Sequence, residues 1–481
     1  MTDVSPPTDE NLISYGHGSR TRSRYVQNET WIMVCFIIAS GLVLFFNLWP
    51  RSLENHDYLR YAGIAREMIR SGDWVVPHCS GDVYIDKPPL LFWLIAIPSW
   101  FYGSVTPLIA RLPSALSAWI GVVILFLWGR RIYGTVQSGL ISGGLALMSY
   151  QYFFEARSAK TDMLLCLMIL LSLYFFYLGY DRDRRKSFLF YGLSFFFMGL
   201  GVLAKGPFGI TVPILIVAAF LLKEKQIKIL VSREFLVGYV VLAITVLPWV
   251  VLFIKGVGWE QIVALVKSNQ VLTRRAPVYF YFLRIWVQFF PLSLLLPFLF
   301  VHLWRRRGKR LPPGESFLII WFVLLFILLT LFKFRASRYL LPALPPLALM
   351  VGGMGRTGSK RFSRFLVAFC LFVLIWHAVE IYRIRGNPTH SPGRVLAGEL
   401  RPVLGGSVLS GYGLDVSTVE EINFYLDRVI PVLKKADPLS GKPFVLMPEE
   451  VYHSLRARGN DSLLILREFQ YKEGRLFLIS S

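Results

Sequence analysis

The chain alternates between long apolar runs and short polar connections. A helix of about 20 apolar residues is long enough to cross the ~30 Å hydrocarbon core of a bilayer. About eleven segments approach this length, and several contain proline or glycine, which membrane helices tolerate. They lie near residues 30–49, 109–129, 137–154, 162–180, 188–204, 208–222, 235–255, 285–304, 315–332, 339–354 and 365–383. The pattern predicts an all-α polytopic membrane domain over residues 30–384.

A further apolar run, Leu90–Tyr102, is too short to cross comfortably and contains Pro98. Because Lys and Arg concentrate in cytoplasmic loops, basic clusters report the face on which each loop lies. With about eleven crossings, and with 87–102 as a helix at the outer interface, all the clusters fall on one face. We therefore expect a cytoplasmic tail at 1–29 and an outer C-terminus. The clusters lie at residues 20–24, 130–131, 182–186, 223–228, 305–310 and 356–364.

Composition supports a membrane protein. Apolar residues make up 54% of the chain, and charged residues only 17%, against about 25% in ordinary globular proteins. The net charge of +22 is spread in short clusters between apolar runs, which does not favour a nucleic-acid-binding surface. The cysteines are far apart and mostly lie within apolar runs, so they predict neither a disulfide framework nor a zinc knuckle. They are Cys35, Cys79, Cys166 and Cys370.

Several cations depart from the charge bias, because they lie at the outer ends of the predicted spans. Two interpretations fit them. They bind an anionic ligand at the outer membrane surface, or they snorkel to the interface and pair with lipid phosphates. They are Lys205, Lys267, Arg274, Arg275, Arg284, Lys333, Arg335 and Arg338.

The first outer loop, residues 50–102, is the most polar part of the predicted membrane domain. Residues from Asp57 to Arg70 have the periodicity of an amphipathic helix, and Ser71-Gly72 supplies a stop signal. Asp57 would lie at the helix N-terminus, where a carboxylate is favoured, so both a capping role and a catalytic role fit it. The loop ends in Asp86-Lys87-Pro88-Pro89, whose prolines fix an extended backbone before the interfacial helix.

A second acidic site follows the third predicted span, in the run Glu155-Ala-Arg-Ser-Ala-Lys-Thr-Asp162. The simplest structural interpretation is an N-cap, with Thr161 or Asp162 starting the next helix. A functional carboxylate at the outer surface is the alternative.

Motifs in both loops, and beyond them, resemble those of the polyprenyl-phosphate-sugar-dependent glycosyltransferases. This family has the GT-C fold and includes lipid A 4-amino-4-deoxy-L-arabinose transferases and protein O-mannosyltransferases. The resemblance covers roughly residues 30–380. It is carried by Asp57-Tyr-Leu-Arg-Tyr-Ala, Ser71-Gly-Asp-Trp, Tyr84-Ile-Asp-Lys-Pro-Pro, Thr161-Asp162, Leu203-Ala-Lys-Gly-Pro, Pro248-Trp249, Arg275-Ala-Pro and Ser337-Arg-Tyr-Leu-Leu-Pro.

The resemblance implies an activity and a location. The expected reaction is inverting transfer of a sugar from a polyprenyl phosphate, undecaprenyl or dolichyl, to a lipid, glycan or protein acceptor. The expected place is the outer face of a bacterial inner membrane, with the C-terminal domain in the periplasm or outside the cell. The expected partners are the lipid-linked donor, the acceptor and membrane lipid, without nucleic acid.

The resemblance also implies residue roles. Asp57 matches the catalytic base, and Asp162 matches a carboxylate beside the same site. The residues expected at the donor phosphate are Lys87, Arg275, Arg338 and Tyr339, and further active-site positions are Arg60, Tyr84, Asp86 and Lys205.

This chain departs from the family at two places. Members commonly have Asp-Glu at the position of Asp57-Tyr58. In addition, the outer loop at 257–284 has no histidine, whereas arabinose-transferase-like members often carry a Glu-His pair there that can hold a metal. The sequence gives no support for a metal, and we expect no cofactor.

Residues 385–481 are expected to form a small outer α/β domain. Strands are predicted near 408–412, 429–433 and 444–447, with a hairpin formed by 463–471 and 475–479. The run Ser417-Thr-Val-Glu420 matches a capping box at the start of one helix, and Pro448 precedes another. No catalytic constellation is evident in this domain. Three roles are open for this domain. It covers the outer opening of the membrane domain, it helps to select the acceptor, or it only stabilises the protein.

The main alternative function is a multi-pass lipid or solute transporter or flippase. Such proteins commonly have internal repeats and ionisable residues at mid-membrane. Here no repeat is evident, and the ionisable residues cluster at the outer ends of the spans. A non-catalytic scaffold whose outer domain binds a partner is a third interpretation.

Overall fold

The fold was analysed in a computed structural model of the protein. The structure describes residues 29–48, 53, 55–181, 184–268, 276–332, 335–354, 375, 379, 391–433, 439, 442–458, 463–472 and 474–480. Arg275 and nearly all of the predicted span at 365–383 lie outside the described residues.

The membrane domain is built from α-helices with short 3-10 segments. The helices are α1 Glu29–Phe45, α2 His56–Ser71, α3 Leu90–Tyr102, α4 Pro107–Tyr133, α5 Val136–Met148, α6 Tyr150–Ala156, α7 Thr161–Tyr180, α8 Arg184–Lys205, α9 Phe208–Lys223, α10 Arg233–Val257, α11 Trp259–Ser268, α12 Phe280–Gln288, α13 Leu296–Arg305, α14 Pro313–Leu331 and α15 Leu344–Met354. The 3-10 segments are Ile227–Val231, Leu292–Leu295 and Ser337–Ala343.

Fewer helices are long enough to span a membrane than the apolar runs suggested. Among the described residues, five helices are long and apolar enough, or up to six if one bent pair counts as a span. The five are α4, α7, α8 (from Ser187), α10 and α14. The apolar helices α1, α5 and α9 are shorter. The count of about eleven crossings is therefore not confirmed.

Two of the predicted spans are broken. The run at 137–154 divides at Ser149, whose extended backbone separates α5 from α6. The run at 285–304 is a bent pair, in which residues 280–288 and 292–305 meet at 108°. The break falls at Pro291, which has no backbone N–H to continue a helix. The predicted span at 285–304 therefore consists of two helices joined by a sharp bend.

Helix α7 is the central support of the domain. Within its most apolar stretch, 83% of the residues are buried, compared with 6% for α10, which has an exposed apolar surface. Aromatic rings pack around the C-terminal part of α7, where Phe176 stacks on Phe317 at 5.8 Å between ring centroids. Because α7 is enclosed on all sides, the residues at its start have a well-defined position.

The helix ends that carry basic clusters lie together. Arg131, at the end of α4, pairs with Asp181 at 2.7 Å, and Arg306, after α13, pairs with Glu315 of α14. Tyr133 lines the same small cavity as Arg306 and Glu315. The clusters at 130–131 and 305–310 thus share one end of the bundle, as the charge pattern requires. The first outer loop lies with the other helix ends.

The first outer loop has the predicted helix. Helix α2 runs from His56 to Ser71 and ends at Gly72, which has the left-handed φ of 73° that favours glycine. Both carboxylate oxygens of Glu67 accept backbone hydrogen bonds, from Ser80 at 2.7 Å and Gly81 at 3.1 Å. They hold the hairpin of β1 (His78–Cys79) and β2 (Asp82–Val83) against α2.

The predicted interfacial helix is α3, which has 13 residues. The indole N–H of Trp93 donates to the Trp74 carbonyl at 2.7 Å and joins this helix to the loop. At its far end, Trp100, Phe101 and Tyr102 are all exposed. An exposed aromatic end is typical of a helix at a membrane surface.

The C-terminal residues form the expected α/β domain. Its mixed sheet has the strand order β4-β3-β5-β7-β6, with β3 parallel to β4 and β5, and β7 antiparallel to β5 and β6. The elements are α16 Pro392–Leu404, β3 Leu409–Tyr412, α17 Val416–Leu426, β4 Val432–Leu433, β5 Phe444–Pro448, α18 Glu449–Arg456, β6 Leu464–Tyr471 and β7 Gly474–Ser480. The predicted strands and hairpin are confirmed, whereas α16 was not predicted.

The predicted capping box is wrong. Helix α17 begins at Val416, and its N-cap is Asp415, whose Oδ1 accepts a hydrogen bond from the Thr418 N–H at 2.9 Å. Burial alone would raise the pKa of Asp415, but hydrogen bonds from Ser417 and Thr418 lower it to about 2. Glu420 is therefore free of any capping role.

Helix α17 packs directly on α2 of the first outer loop. The buried guanidinium of Arg66 donates to the Phe424 carbonyl at 3.0 Å and to Asp427 at 3.2 Å. The Tyr425 hydroxyl accepts from the Leu53 N–H at 2.9 Å. The α/β domain is thus attached to the loop through buried and directional contacts.

We predict that Asp427→Asn weakens this attachment. Asn tolerates the left-handed φ of 60° found at this position, but it removes the ion pairs to Arg66 and to Arg70, the latter at 2.7 Å. The expected cost is about 1–2 kcal/mol, because two ion pairs are lost and each pair to this exposed carboxylate contributes up to about 1 kcal/mol. Hydrogen exchange in residues 391–433 should become faster. Glu468→Gln, which removes an exposed pair with Arg475, serves as the control; equal protection in all three proteins would contradict the prediction.

Candidate functional site

The candidate site lies where segments distant in the sequence meet at one end of the bundle. These segments are the first turns of α2 and α7, the residues before α3, the end of α8 and the 3-10 segment Ser337–Ala343. Each contributes at least one of the predicted residues. The predicted residues that the structure describes are Asp57, Arg60, Tyr84, Asp86, Lys87, Asp162, Lys205, Arg338 and Tyr339.

Asp57 does not cap its helix. The N-cap is Asn55, whose side-chain oxygen accepts from the Asp57 N–H at 3.0 Å. The Asp57 carboxylate instead lies 3.3 Å from the ammonium of Lys160. Burial alone would raise the pKa of Asp57, but the positive charges of Lys160 and Arg338 outweigh it and hold the pKa below its ordinary value. Of the two roles considered for Asp57, the structure excludes capping.

Asp162 lies in the first turn of α7 and is only 5% exposed. The residue before the helix is Lys160, which makes no side-chain cap, so the N-cap interpretation of Thr161 and Asp162 is wrong. The Asp162 carboxylate accepts a hydrogen bond from the Lys205 ammonium. The Arg338 guanidinium lies 3.9 Å from its other oxygen.

Several cations gather at the centre of the site. Lys87 is half-buried, and its ammonium donates to the Asp86 carbonyl at 3.0 Å. Burial lowers the pKa of Lys87, and the like charges of Lys205 and Arg338 lower it further. A bound anion would relieve this repulsion, so the cluster is suited to hold a negatively charged group.

Tyr339 organises these cations through its ring. The Lys205 ammonium lies 4.7 Å from the ring centroid and the Arg338 guanidinium 5.7 Å from it. Cations are attracted to the face of an aromatic ring at these distances. The Tyr339 ring also packs against Phe208, at 6.4 Å between centroids. Tyr339 thus fixes the two side chains that flank Asp162.

The loop before α7 is held in place by buried hydrogen bonds. The Arg157 guanidinium donates to the Leu44 and Asn47 carbonyls at 3.1 and 2.8 Å, at the end of α1. The Ser114 hydroxyl donates to the Lys160 carbonyl at 3.1 Å. Lys160 and Asp162 are therefore preorganised by contacts with α1 and α4.

Arg60 joins the loop to the C-terminal domain. Its Nε donates to Glu420 Oε1 at 3.0 Å, and His56 Nε2 lies 3.1 Å from Glu420 Oε2. The same guanidinium lies 6.0 Å from the ring centroid of Tyr84. Asp86 is exposed. The predicted residues Arg60 and Tyr84 thus form the side of the site on which α17 rests.

Two residues at the site were missed by the sequence analysis. Lys160 lies in the acidic run at 155–162, for which the sequence analysis predicted no role for a lysine. Glu420 was assigned to a capping box. The sequence did contain an indication for Lys160, because it is a cation at the predicted outer end of a span, like Lys205 and Arg338. Nothing in the sequence around Glu420 indicates its pairing with Arg60.

The described residues contain no group of three or more His, Cys, Asp or Glu side chains that could hold a metal ion. The arrangement places a partly exposed carboxylate, Asp57, near several cations. Such a carboxylate can accept a proton, and such cations can hold a phosphate.

Comparison with known proteins finds a family model and curated relatives that are similar to this chain. The family described as dolichyl-phosphate-mannose-protein mannosyltransferase matches residues 86–252. An undecaprenyl phosphate-alpha-4-amino-4-deoxy-L-arabinose arabinosyl transferase of Pseudomonas fluorescens Pf0-1 is 28% identical over 70% of this chain and 60% of its own length. Its counterpart in P. fluorescens Pf-5 is 29% identical over 73% and 61%. The chain thus spans about 60% of the length of these relatives.

Solved structures agree on the fold. ArnT from Cupriavidus metallidurans, bound to undecaprenyl phosphate, superimposes with a TM-score of 0.77 at 18% identity, covering 94% of this chain and 98% of that one. The oligosaccharyltransferase of Archaeoglobus fulgidus gives 0.57 at 13% identity, covering 88% and 69%. The chain has the GT-C fold of these proteins, and the resemblance to polyprenyl-phosphate-sugar glycosyltransferases is confirmed.

We predict energetic coupling between Lys205 and Asp162. Lys205→Met leaves a buried carboxylate without its main partner and should lower stability by about 3 kcal/mol. The double variant Lys205→Met/Asp162→Asn should recover much of this loss, because no buried charge then remains unpaired. Apparent melting temperatures in detergent would measure it. The exposed pair Arg475–Glu468 is the control and should show no coupling; additive effects at the buried pair would refute the prediction.

Proposed function

We propose that this protein is an inverting glycosyltransferase that moves a sugar from a polyprenyl phosphate to an acceptor at the outer face of a bacterial inner membrane. The observation that carries the proposal is the partly exposed Asp57 carboxylate, which lies against Lys160 and faces the charge of Arg338, with Lys87 and Lys205 close to that arginine. The named relatives support it, since they act from undecaprenyl phosphate or dolichyl phosphate sugars. The side bearing the first outer loop and the α/β domain would face the periplasm.

In the proposed reaction, Asp57 acts as general base. The acceptor oxygen attacks the anomeric carbon of the sugar while the bond from that carbon to the phosphate oxygen breaks. The bonding electron pair leaves with the phosphate, and the acceptor proton passes to Asp57. One displacement inverts the configuration at the anomeric carbon. Asp57 is 29% exposed, which leaves room for an acceptor to reach it.

The cations would hold the departing phosphate, whose negative charge grows as the bond breaks. Lys87 and Arg338 are the described residues proposed for this contact, and Arg275 joins them from the resemblance. An Arg fork suits two phosphate oxygens at once. Asp162, with Lys205 and Tyr339, would keep Arg338 in place.

The proposal covers transfer of a pentose or a hexose to a lipid, glycan or protein. Among the relatives, the curated transferases are named for aminoarabinose and the family for mannose. Mass spectrometry of lipid and protein extracts, with and without the gene, would identify the modified acceptor. Absence of any sugar difference between the extracts would count against the proposal.

A transporter or flippase fits the site less well. The paired ions of the site lie at helix ends, at the start of α7 and the end of α8. Transport sites are expected near mid-membrane, between repeats. The two functions also differ in what they require of Asp57, because only group transfer needs its carboxylate to accept a proton.

We predict that Asp57→Asn lowers transfer to a hydroxyl acceptor by at least ~100-fold, the usual scale for a lost general base. The amide is isosteric but accepts no proton at neutral pH. Initial rates with purified protein in lipid nanodiscs would measure the loss. Asp82→Asn, at an exposed carboxylate of the same loop, should retain normal turnover. Wild-type turnover by a well-folded Asp57→Asn protein would refute the base assignment.

We predict that Lys87→Ala and Arg275→Ala each weaken binding of a short-chain polyprenyl phosphate by roughly 10- to 150-fold, since a charge-assisted contact contributes about 1.5–3 kcal/mol. Arg275→Lys should recover only part of the loss. Because the pKa of Lys87 is lowered, its contribution to binding should be lost as pH rises through a value below the ordinary 10.5. Lys87→Arg should keep binding to higher pH. Equal inhibition constants in wild type and both alanine variants would refute the assignment.

A further inference from the structure

Lys160 has a contact that no predicted role explains. Its side chain is 13% exposed, and its ammonium lies 3.3 Å from Asp57 Oδ2. The ammonium also lies 5.2 Å from the ring centroid of Tyr58. The backbone of Lys160 is held by the hydroxyl of Ser114. A cation so nearly buried, and fixed at both its backbone and its head, is not a solvated surface lysine.

The contact leaves one side of the Asp57 carboxylate open. Among the described residues, only Lys160 has a charged group within ion-pair distance of the Asp57 carboxylate. It contacts Oδ2, and 29% of the Asp57 side chain remains exposed. An acceptor hydroxyl could therefore approach Oδ1 while Lys160 stays on Oδ2.

We propose that Lys160 is a positioning residue for Asp57, whose ammonium keeps this carboxylate ionised and fixes the orientation in which it meets the acceptor. The inference rests on the proposed function and deepens it. It assigns the control of the base to a residue on another segment. During transfer the acceptor proton would go to Oδ1, and Lys160 would keep its own proton throughout.

The physical need for Lys160 follows from burial. A carboxylate withdrawn from water favours its neutral form, which cannot act as a base. Other charged and titratable groups also face Asp57: Arg338 from the 3-10 segment, Arg60 from the next turn of α2, and Tyr61 beside it. The buried carboxyl of Glu155, from α6, faces Lys160. Lys160 is the cation in direct contact. Removing it should raise the pKa of Asp57 by about one to three units, the usual effect of one adjacent charge.

The test compares pH profiles of kcat/KM for Lys160→Met, Lys160→Gln, Lys160→Arg and wild type in nanodiscs. In wild type the acid limb should lie low, because the pKa of Asp57 is held below its ordinary value. In Lys160→Met and Lys160→Gln the acid limb of the profile should shift to higher pH by about one to three units. The loss of activity should therefore be largest at low pH and become smaller as pH rises. Lys160→Arg should keep the limb near its wild-type position. A loss by the same factor at every pH would overturn the proposal.

A second measurement does not depend on transfer activity. A hydrophobic carbodiimide modifies protonated carboxyl groups, and mass spectrometry can locate the product at Asp57. Labelling of Asp57 should extend to higher pH in Lys160→Met than in wild type. Lys223→Met, at an exposed lysine away from the site, should leave labelling unchanged. Identical labelling profiles in Lys160→Met and wild type would overturn the inference, whereas shifted labelling with no transferase activity would overturn the proposed function alone.

Discussion

Charged groups at the edge of a membrane must have partners, and this requirement shapes the whole site. Burying an unpaired carboxylate costs several kcal/mol. Asp57 and Asp162 each meet a lysine from another segment, and Arg338 lies near both. The segments are held together because each carries a charge that another segment must neutralise. The same contacts that stabilise the outer end of the bundle therefore create the site.

The precision of the site comes from the helices beneath it. Helix α7 is almost entirely enclosed, so its first turn gives Asp162 a defined position. Arg157 ties the preceding loop to the last carbonyls of α1, where a cation is favoured by the helix dipole. Tyr339 then sets the side chains of Lys205 and Arg338 by its ring face. Proton transfer and phosphate binding both require such preorganisation.

Local patterns predicted those parts of the structure that depend on local forces. Helix α2 was predicted within a residue because amphipathic periodicity and a glycine stop are sequence-local signals. The break at Pro291 was not predicted, because the length of an apolar run does not show where the backbone hydrogen bonds of a helix stop. The capping box failed because Asp415, two residues before Ser417, makes a stronger cap. Motif resemblance supplied Asp57 and Asp162, whereas the partner of each carboxylate depends on tertiary packing that no local rule describes.

The bond between Arg60 and Glu420 joins residues 360 positions apart. During synthesis the first outer loop emerges long before α17 exists to meet it. At roughly 5–20 residues per second, the ribosome needs about 20–70 s to cover that distance. Throughout this interval the buried side of α2, with Arg60 and Arg66, has no partner from the C-terminal domain. The site is therefore completed only after α17 has been made, so a product truncated before α17 would carry the motif residues without the surface that holds α2 in place.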